Sequence, residues 1–270
     1  MGNHEYDDFE DKLQRWGAAE RLVSAIATEI RNGRDPWDDR WTPTDSQVDA
    51  MIDEWLAPGT VVCQDRHSGQ CPGPDRCGRR CTVGYWRVHG EDVANNMAAL
   101  ARDLGEDERT WFVVGRIHDI DYPRCPHHES EVSSEDSHPI ALARELQTLG
   151  AAPAVVLAVL AHAPHLRLRP SSPMAWALLA CDEHATMTAY AKANPSMEPV
   201  YPEHLRSMTS LLRPASSTIL GGYSRKDMQA RANLGFQKLV CYKNRIPRFD
   251  EKAFGERIDW DAEVRAVSPS

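Results

Sequence analysis

The feature that most constrains the fold is a run of amphipathic helices between Tyr85 and Tyr190, which polar loops separate. Apolar residues recur there at intervals of three and four positions, as they do in helices that each bury one face. No stretch of this half shows the alternation of apolar and polar residues that is typical of strands. The sequence therefore predicts an all-α helical bundle.

Five helices are predicted in this region, over residues 85–104, 108–120, 137–149, 153–163 and 172–193. Gly105 and Gly150 follow the first and third helices, where glycine is the usual terminating residue. Ser172-Pro173 begins the fifth, because a capping residue followed by proline favours the first turn of a helix. The polar loop at 121–136 separates the second helix from the third.

The rest of the chain divides into three further parts. Residues 1–58 form an acidic N-terminal extension with predicted helices over 8–32 and 45–56, and its 14 acidic and 6 basic residues carry −8 of the formal charge of −9. Residues 59–84 are a cysteine-rich connecting segment with many glycines and prolines. Residues 194–270 are a helical C-terminal extension with a predicted helix over 224–240.

Composition excludes several classes of protein. A chain of 270 residues that is 41% hydrophobic and 26% charged resembles a folded globular protein rather than a disordered or fibrous one. No apolar run approaches the roughly 20 residues that a membrane-spanning helix needs. The acidic N-terminus has no hydrophobic signal region, so we expect a cytoplasmic location. The net negative charge argues against nucleic-acid binding.

Each of the five predicted helices carries a histidine or aspartate on a face that should be buried. These residues are His89, the adjacent pair His118 and Asp119, His138, His162 and Asp182. An unpaired buried imidazole or carboxylate carries a desolvation penalty of roughly several kcal/mol. A bound metal ion would remove that penalty.

The order His89, His118-Asp119 and Asp182 resembles the HD superfamily of metal-dependent phosphohydrolases. The resemblance covers about residues 85–193 and fades beyond Leu211. It extends to a widespread group of small bacterial HD-domain proteins classed as hydrolases, and it is carried by WFVVGRIHDIDY, SHPIALARELQTLG, VLAVLAHAP and SSPMAWALLACDE.

The resemblance implies a metal site and its ligands. The four core ligands of the family correspond to His89, His118, Asp119 and Asp182, while the two further histidines of dinuclear members correspond to His138 and His162. Four such ligands suit one divalent Fe, Mn, Zn, Ni or Co ion, and six suit two ions bridged by Asp119 and a hydroxide. We favour two ions, although a helix cap and a satisfied helix end would also explain the last two histidines.

Other polar residues near the predicted ligands are candidates for catalysis. Asp119 would act directly, whereas Asp121 and Glu183 could support a ligand or move a proton. Ordinary solvated carboxylates are an equal alternative for Asp121 and Glu183.

Cationic residues in the same region could bind an anionic substrate. Arg116 precedes the His-Asp pair, and Arg167 and Arg169 follow the fourth predicted helix. His127 and His128 lie in the polar loop over the predicted site. For all five residues, simple surface exposure is the alternative.

The connecting segment contains four cysteines within about twenty residues: Cys63, Cys71, Cys77 and Cys81. Four thiolates could bind a structural zinc ion that folds a segment without its own core, although the spacing lacks the paired short knuckles of common zinc motifs. A loop of reduced cysteines is the alternative. The remaining cysteines are predicted to be packing thiols: Cys125, Cys181 and Cys241.

The sequence supports three functions. The first is hydrolysis of a phosphate ester of a nucleotide or another small metabolite by a metal-activated hydroxide. The second, also implied by the resemblance, is a mixed-valence diiron oxygenase that cleaves a C–C or C–P bond. The third is a noncatalytic regulatory protein with an HD fold. In the first two cases the partner is a small-molecule substrate, anionic for the hydrolase, and homodimer formation is left open.

Overall fold

A computed structural model describes residues 4–37, 42–57, 83–122, 138–193, 219–220, 223–245 and 256–267. This part of the chain is almost entirely helical, as predicted. Its helices are α1 (His4–Arg31), α2 (Asp45–Trp55), α3 (Val83–Leu104), α4 (Glu108–Ile117), α5 (Ile140–Thr148), α6 (Pro153–Ala161), α7 (Pro173–Ala193), α8 (Arg225–Arg245) and α9 (Trp260–Val267). The two-residue strands β1 (Ile219–Leu220) and β2 (Tyr223–Ser224) pair antiparallel before α8. None of the described helices is both long and apolar enough to cross a membrane.

Helix α6 lies at the centre of the bundle. All nine of its residues are buried, as expected for a helix that is apolar on every side. It packs against α1, α5 and α7. His162 follows the last residue of this helix, and its imidazole is therefore buried inside the protein.

Helices α3 and α4 pack unusually closely because glycine lies at two contact points. A β-carbon at Gly115 would lie 2.5 Å from the Cα of Ala94, and one at Gly90 would lie 2.7 Å from the carbonyl oxygen of Arg116. Nonbonded carbon atoms normally stay about 3.5 to 4.0 Å apart. The missing side chains therefore allow the two backbones to touch.

The predicted helix boundaries are largely confirmed. Gly33, Gly105 and Gly150 all have positive φ angles after their helices, a conformation that glycine adopts without strain. The hydroxyl oxygen of Ser172 accepts a hydrogen bond from the backbone N–H of Ala175, which caps α7 as predicted. Thr44, which the prediction overlooked, caps α2 with a capping box.

Four predicted boundaries differ from the structure by three or more residues, and one of them is the start of α1, at His4 rather than at residue 8. Helix α5 begins at Ile140 rather than residue 137, because the α-helical conformation is disfavoured for His138 before Pro139. Helix α4 ends at Ile117, and a tight turn to residue 122 replaces its predicted last turn. Helix α8 continues to residue 245, and the short helix α9 was not predicted.

The N-terminal extension docks on the helices of the bundle. The guanidinium of Arg34 donates hydrogen bonds to the carbonyl oxygens of Gly150 and Ala151, at 3.2 and 2.8 Å. The carbonyl of Pro36 accepts from the N–H of Ala154 at 2.8 Å. These bonds satisfy backbone groups at the end of α5 and the start of α6.

Helix α2 carries an acidic stripe that faces basic residues of α3 and α4. On the same helix, the apolar side chains of Val48 and Ile52 are buried. The charged pairs are Asp45 with Arg109, Asp49 with Arg116, and Asp53 with Arg87. The extension is thus held by an apolar seam and by paired charges beside it.

The C-terminal residues 256–267 form a strap over the loop that follows His162. The N–H of Ile258 donates to the carbonyl of Arg167 at 2.9 Å, and the indole N–H of Trp260 donates to the carbonyl of Pro164 at 3.1 Å. The guanidinium of Arg169 pairs with Glu263 at 2.5 Å. The strap therefore fixes a loop that begins at a candidate ligand.

Candidate metal centre

The six predicted ligands converge at one place inside the bundle. His89 comes from the middle of α3, and His118 and Asp119 come from the turn after α4. His138 precedes α5, His162 follows α6, and Asp182 lies on α7. The four imidazoles are buried, whereas 11% of the Asp119 side chain and 18% of the Asp182 side chain are exposed to solvent.

Asp119 lies at the centre of the cluster, with one carboxylate oxygen on each side. Its Oδ2 is 3.3 Å from Nε2 of His89 and 3.4 Å from Nε2 of His118. Its Oδ1 is 3.3 Å from Nε2 of His138 and 3.1 Å from Nε2 of His162. Each oxygen therefore faces a different pair of histidines.

The donor atoms fall into two groups that share Asp119. The first group comprises His89, His118, Asp119 and Asp182, and the second comprises Asp119, His138 and His162. Within each group the donor atoms lie within 4.8 Å of one another. Asp182 belongs to the first group because its Oδ1 is 3.0 Å from Nε2 of His89 and 3.6 Å from Nε2 of His118.

In three of the four histidines, the ring nitrogen Nδ1, which faces away from Asp119, lies within hydrogen-bond distance of an oxygen atom. Nδ1 of His118 lies 2.8 Å from the carbonyl oxygen of Gly115, and Nδ1 of His162 lies 2.5 Å from that of Val159. Nδ1 of His138 lies 2.8 Å from Oδ1 of Asp121. A carbonyl or carboxylate oxygen can only accept, so each Nδ1 carries the proton and donates it. In the neutral ring, the Nε2 lone pair then points into the cluster.

This arrangement fits divalent metal ions. Nε2 of His118 is buried and has no hydrogen-bond partner within the described ranges. Lone pairs that face carboxylate oxygens repel them unless a positive charge lies between. Donor atoms about 2.1 Å from one ion lie roughly 3.0 to 3.4 Å apart, which matches most of the distances above. The buried His/Asp cluster could therefore hold a divalent metal ion.

The charges of the cluster also shift the pKa values of its members. Burial opposes protonation of His118, but the charge of Asp119 outweighs it and raises the pKa of His118 well above its ordinary value. The pKa values of His89 and His138 are raised in the same way, for His138 chiefly by Asp121. Burial opposes ionisation of Asp119, but the imidazoles outweigh it and lower its pKa well below the ordinary value. The site thus favours positive charge at its centre.

The comparison with protein families agrees with this geometry. Residues 88–189 match the HD domain family model. The chain contains an HD domain. The matched residues include all six members of the cluster. Comparisons with curated proteins and with solved structures gave no match.

Among the other predicted residues, Asp121 lies directly behind the HD-domain cluster. Its side chain is fully buried. Its Oδ1 accepts from Nδ1 of His138, and its Oδ2 accepts from the N–H of Leu142 at 3.3 Å. This placement favours support of a ligand over proton exchange with solvent.

Glu183 is bonded to helix α8. Its Oε1 accepts a 2.5 Å hydrogen bond from Nε of Arg231, and both side chains are buried. Neighbouring His184 is also buried, and its ring packs edge-on against Phe236 of α8. Glu183 thus ties α7 to α8 beside Asp182, and its predicted role in proton transfer stays a prediction.

Two of the three arginines predicted to bind substrate make ion pairs with other elements. Arg116 lies 2.9 Å from Asp49 of α2 and 2.7 Å from Glu91 of α3. Arg169 pairs with the C-terminal strap. Arg167 is exposed and has a left-handed backbone conformation, with φ of 51°. Arg116 and Arg169 therefore anchor the two extensions.

Several predicted residues lie outside the described part of the chain. They are His127, His128, Cys63, Cys71, Cys77 and Cys81. Substrate binding by the two histidines and zinc binding by the four cysteines both stay predictions.

Two aromatic residues beside the cluster were missed. The rings of Trp86 and Tyr122 stack with centroids 4.2 Å apart. The ring of Tyr122 also contacts that of His138, with 4.9 Å between their centroids. The ring of Trp86 contacts that of His89, with 6.0 Å between their centroids. The position of Trp86, three residues before His89 on one helix, was the available signal.

Proposed function

We propose that this chain is a metal-dependent hydrolase of phosphate esters, acting on a nucleotide or another small phosphorylated metabolite. The observation that supports this most is the orientation of three imidazoles, those of His118, His138 and His162, whose Nδ1 atoms are held from behind while Nε2 faces Asp119. In addition, HD domains are often metal-dependent hydrolases. A noncatalytic HD-fold protein would not need this complete set of oriented donors.

The chain's own residues would hold the ions and leave one side open. The six clustered residues would hold two ions, with Asp119 shared by the two donor groups. When bound, such ions polarise phosphoryl oxygens and lower the pKa of water toward neutrality. The imidazoles are sealed in the interior, whereas the Asp119 and Asp182 carboxylates reach solvent. Substrate would therefore approach from the carboxylate side.

The diiron oxygenase is the second candidate. It is supported by the same two donor groups on either side of Asp119, because a diiron pair also needs six ligands. Metal identity depends on geometry and availability rather than on ligand type alone. The two candidates therefore differ in which ion and which substrate give turnover.

A turnover assay across metals tests the proposal. Protein purified without oxygen would be loaded separately with Mn²⁺, Fe²⁺, Co²⁺ or Zn²⁺ and given nucleoside monophosphates and sugar phosphates. We expect metal-dependent release of inorganic phosphate in the absence of oxygen. No phosphate release with any ion, together with an electron paramagnetic resonance signal of a mixed-valence iron pair, would favour the oxygenase instead.

A double variant tests the number of ions. His138→Ala/His162→Ala should reduce bound metal from about two ions to about one per chain and remove most turnover. Asp107→Asn is a suitable control, because Asp107 caps α4 without contacting the cluster in the described structure. Full metal content and activity in the double variant would contradict the two-ion proposal.

A further inference from the structure

The clustered histidines differ in which group holds the Nδ1 atom of the ring. His118 and His162 are each held by a backbone carbonyl of the preceding helical turn. A helix therefore fixes these rings. His138 precedes its helix, and its Nδ1 is held by a side chain, that of Asp121. The second group thus includes one ligand whose orientation depends on a replaceable carboxylate.

Asp121 also connects His138 to helix α5. Its two carboxylate oxygens accept hydrogen bonds from different donors, the Nδ1–H of His138 and the backbone N–H of Leu142 in the first turn of α5. The residue is fully buried, so water cannot replace either bond without rearrangement. One side chain therefore fixes both the ring of His138 and the start of its helix.

We propose that Asp121 is a positioning residue that determines occupancy of the second metal site. It would hold His138 in the Nδ1–H tautomer, which presents the Nε2 lone pair to the ion, and its charge would strengthen His138 as a ligand. This inference rests on the proposed two-ion centre. It concerns metal affinity, so it can fail or succeed independently of which reaction the centre catalyses.

The isosteric substitution Asp121→Asn is informative for a chemical reason. An asparagine offers one accepting oxygen and one donating NH₂ group. It can accept from Leu142 or from His138, but its NH₂ group then faces the other donor. Either the ring of His138 changes tautomer and loses its lone pair, or the start of α5 moves and takes the ring with it.

Cobalt titration of the metal-free chain, with all 270 residues present, measures the effect. The visible absorption of bound Co²⁺ reports each ion as it enters a site of nitrogen and oxygen ligands. We expect two binding phases in the wild type. In Asp121→Asn, we expect the weaker phase to lose about 10-fold to 100-fold in affinity, with the first phase unchanged.

Two control variants separate positioning from folding. Asp107→Asn removes the charge of another helix-capping aspartate, whose side chain accepts from Thr110, and should leave both phases unchanged. In a His138→Ala background, Asp121→Asn should cause no further loss, because its target is already absent. A purely structural role would lower metal affinity in that background too.

Several outcomes would overturn the inference. They are a single binding phase in the wild type, an unchanged second phase in Asp121→Asn, equal weakening of both phases, and additive loss in the His138→Ala background. If Asp121→Asn fails to fold, nitrogen NMR of the zinc-loaded wild type decides the question. The expected signature is a protonated Nδ1 of His138 that disappears in His138→Ala, and a protonated Nε2 would contradict the proposal.

Discussion

At the scale of single residues, the adjacent pair His118 and Asp119 supplies two of the donors of the candidate metal centre. We expect His118→Ala or Asp119→Ala to abolish most metal binding, since one removes a donor from the first group and the other removes the residue that both groups share. Elemental analysis and far-ultraviolet circular dichroism check this, with helical content expected to stay nearly unchanged. Wild-type metal content in both variants would contradict the site.

Cys181 precedes the candidate ligand Asp182, yet it should be chemically inert. Burial raises the pKa of its thiol, and the charge of Asp182 raises it further, so the reactive thiolate is scarce. We expect iodoacetamide to modify Cys181 in the unfolded protein and to leave it unmodified in the folded one. Peptide mass mapping measures both states, and equal labelling would show that the residue is accessible.

The residues that sequence analysis located best are those whose pattern is local. The cluster members were found because each interrupts an apolar helical face. The partnership of Asp121 with His138 could not be found in this way, since seventeen positions separate the two residues and a carboxylate after a helix is usually solvated. The ion pairs of Arg116 could not be inferred for the same reason, because Asp49 belongs to another element.

At the scale of elements, helix α2 allows apolar packing and ion pairing to be compared directly. Ile52→Ala removes a buried side chain and should lower the free energy of unfolding by about 2 to 4 kcal/mol. Neighbouring Asp53→Asn breaks an exposed pair with Arg87 and should lower it by only about 0.2 to 1 kcal/mol.

Urea unfolding at low and high salt distinguishes the two effects. Added salt should shrink the cost of Asp53→Asn and leave that of Ile52→Ala unchanged, because salt screens exposed charges. A larger loss for Asp53→Asn than for Ile52→Ala would mean that charge pairing dominates the docking of α2.

Helices were predictable where the capping residue at the start and the terminating glycine lie directly beside the helix in the sequence. Helix α9 was missed because its eight residues give too short a pattern, and it is held by Trp260 and Glu263 through contacts with distant parts of the chain. The start of α5 was predicted three residues too early, because the apolar periodicity was given more weight than Pro139, which disfavours a helical conformation of the residue before it. Long-range contacts thus decide what local patterns leave open.

At the scale of the whole molecule, the C-terminal strap should make stability depend on pH. Partial burial opposes ionisation of Glu263, but Arg169 and Lys238 outweigh it and lower its pKa below 4.5, its ordinary value. Its contribution to stability is therefore complete above the unfolded-state pKa and is lost as pH falls through the lower folded-state pKa.

We expect Glu263→Gln to be destabilising at pH 7 and progressively less so below about pH 4.5, as measured by urea unfolding of variant and wild type. Glu256→Gln is the matched control, because Glu256 belongs to the same strap and lies farther from Arg169, at 3.4 Å. A pH-independent difference for Glu263→Gln would contradict the role of its charge.

The close contact between α3 and α4 makes the candidate metal centre sensitive to substitution of a single glycine. Gly90 follows His89, and Gly115 supplies the carbonyl that holds His118, so the two helices carry their donors at a separation set by missing methyl groups. An alanine at residue 115 would push the backbones apart by about 1 Å. Metal–ligand distances tolerate about 0.2 Å. The centre can therefore be lost through a single added carbon atom while every donor is still in the sequence.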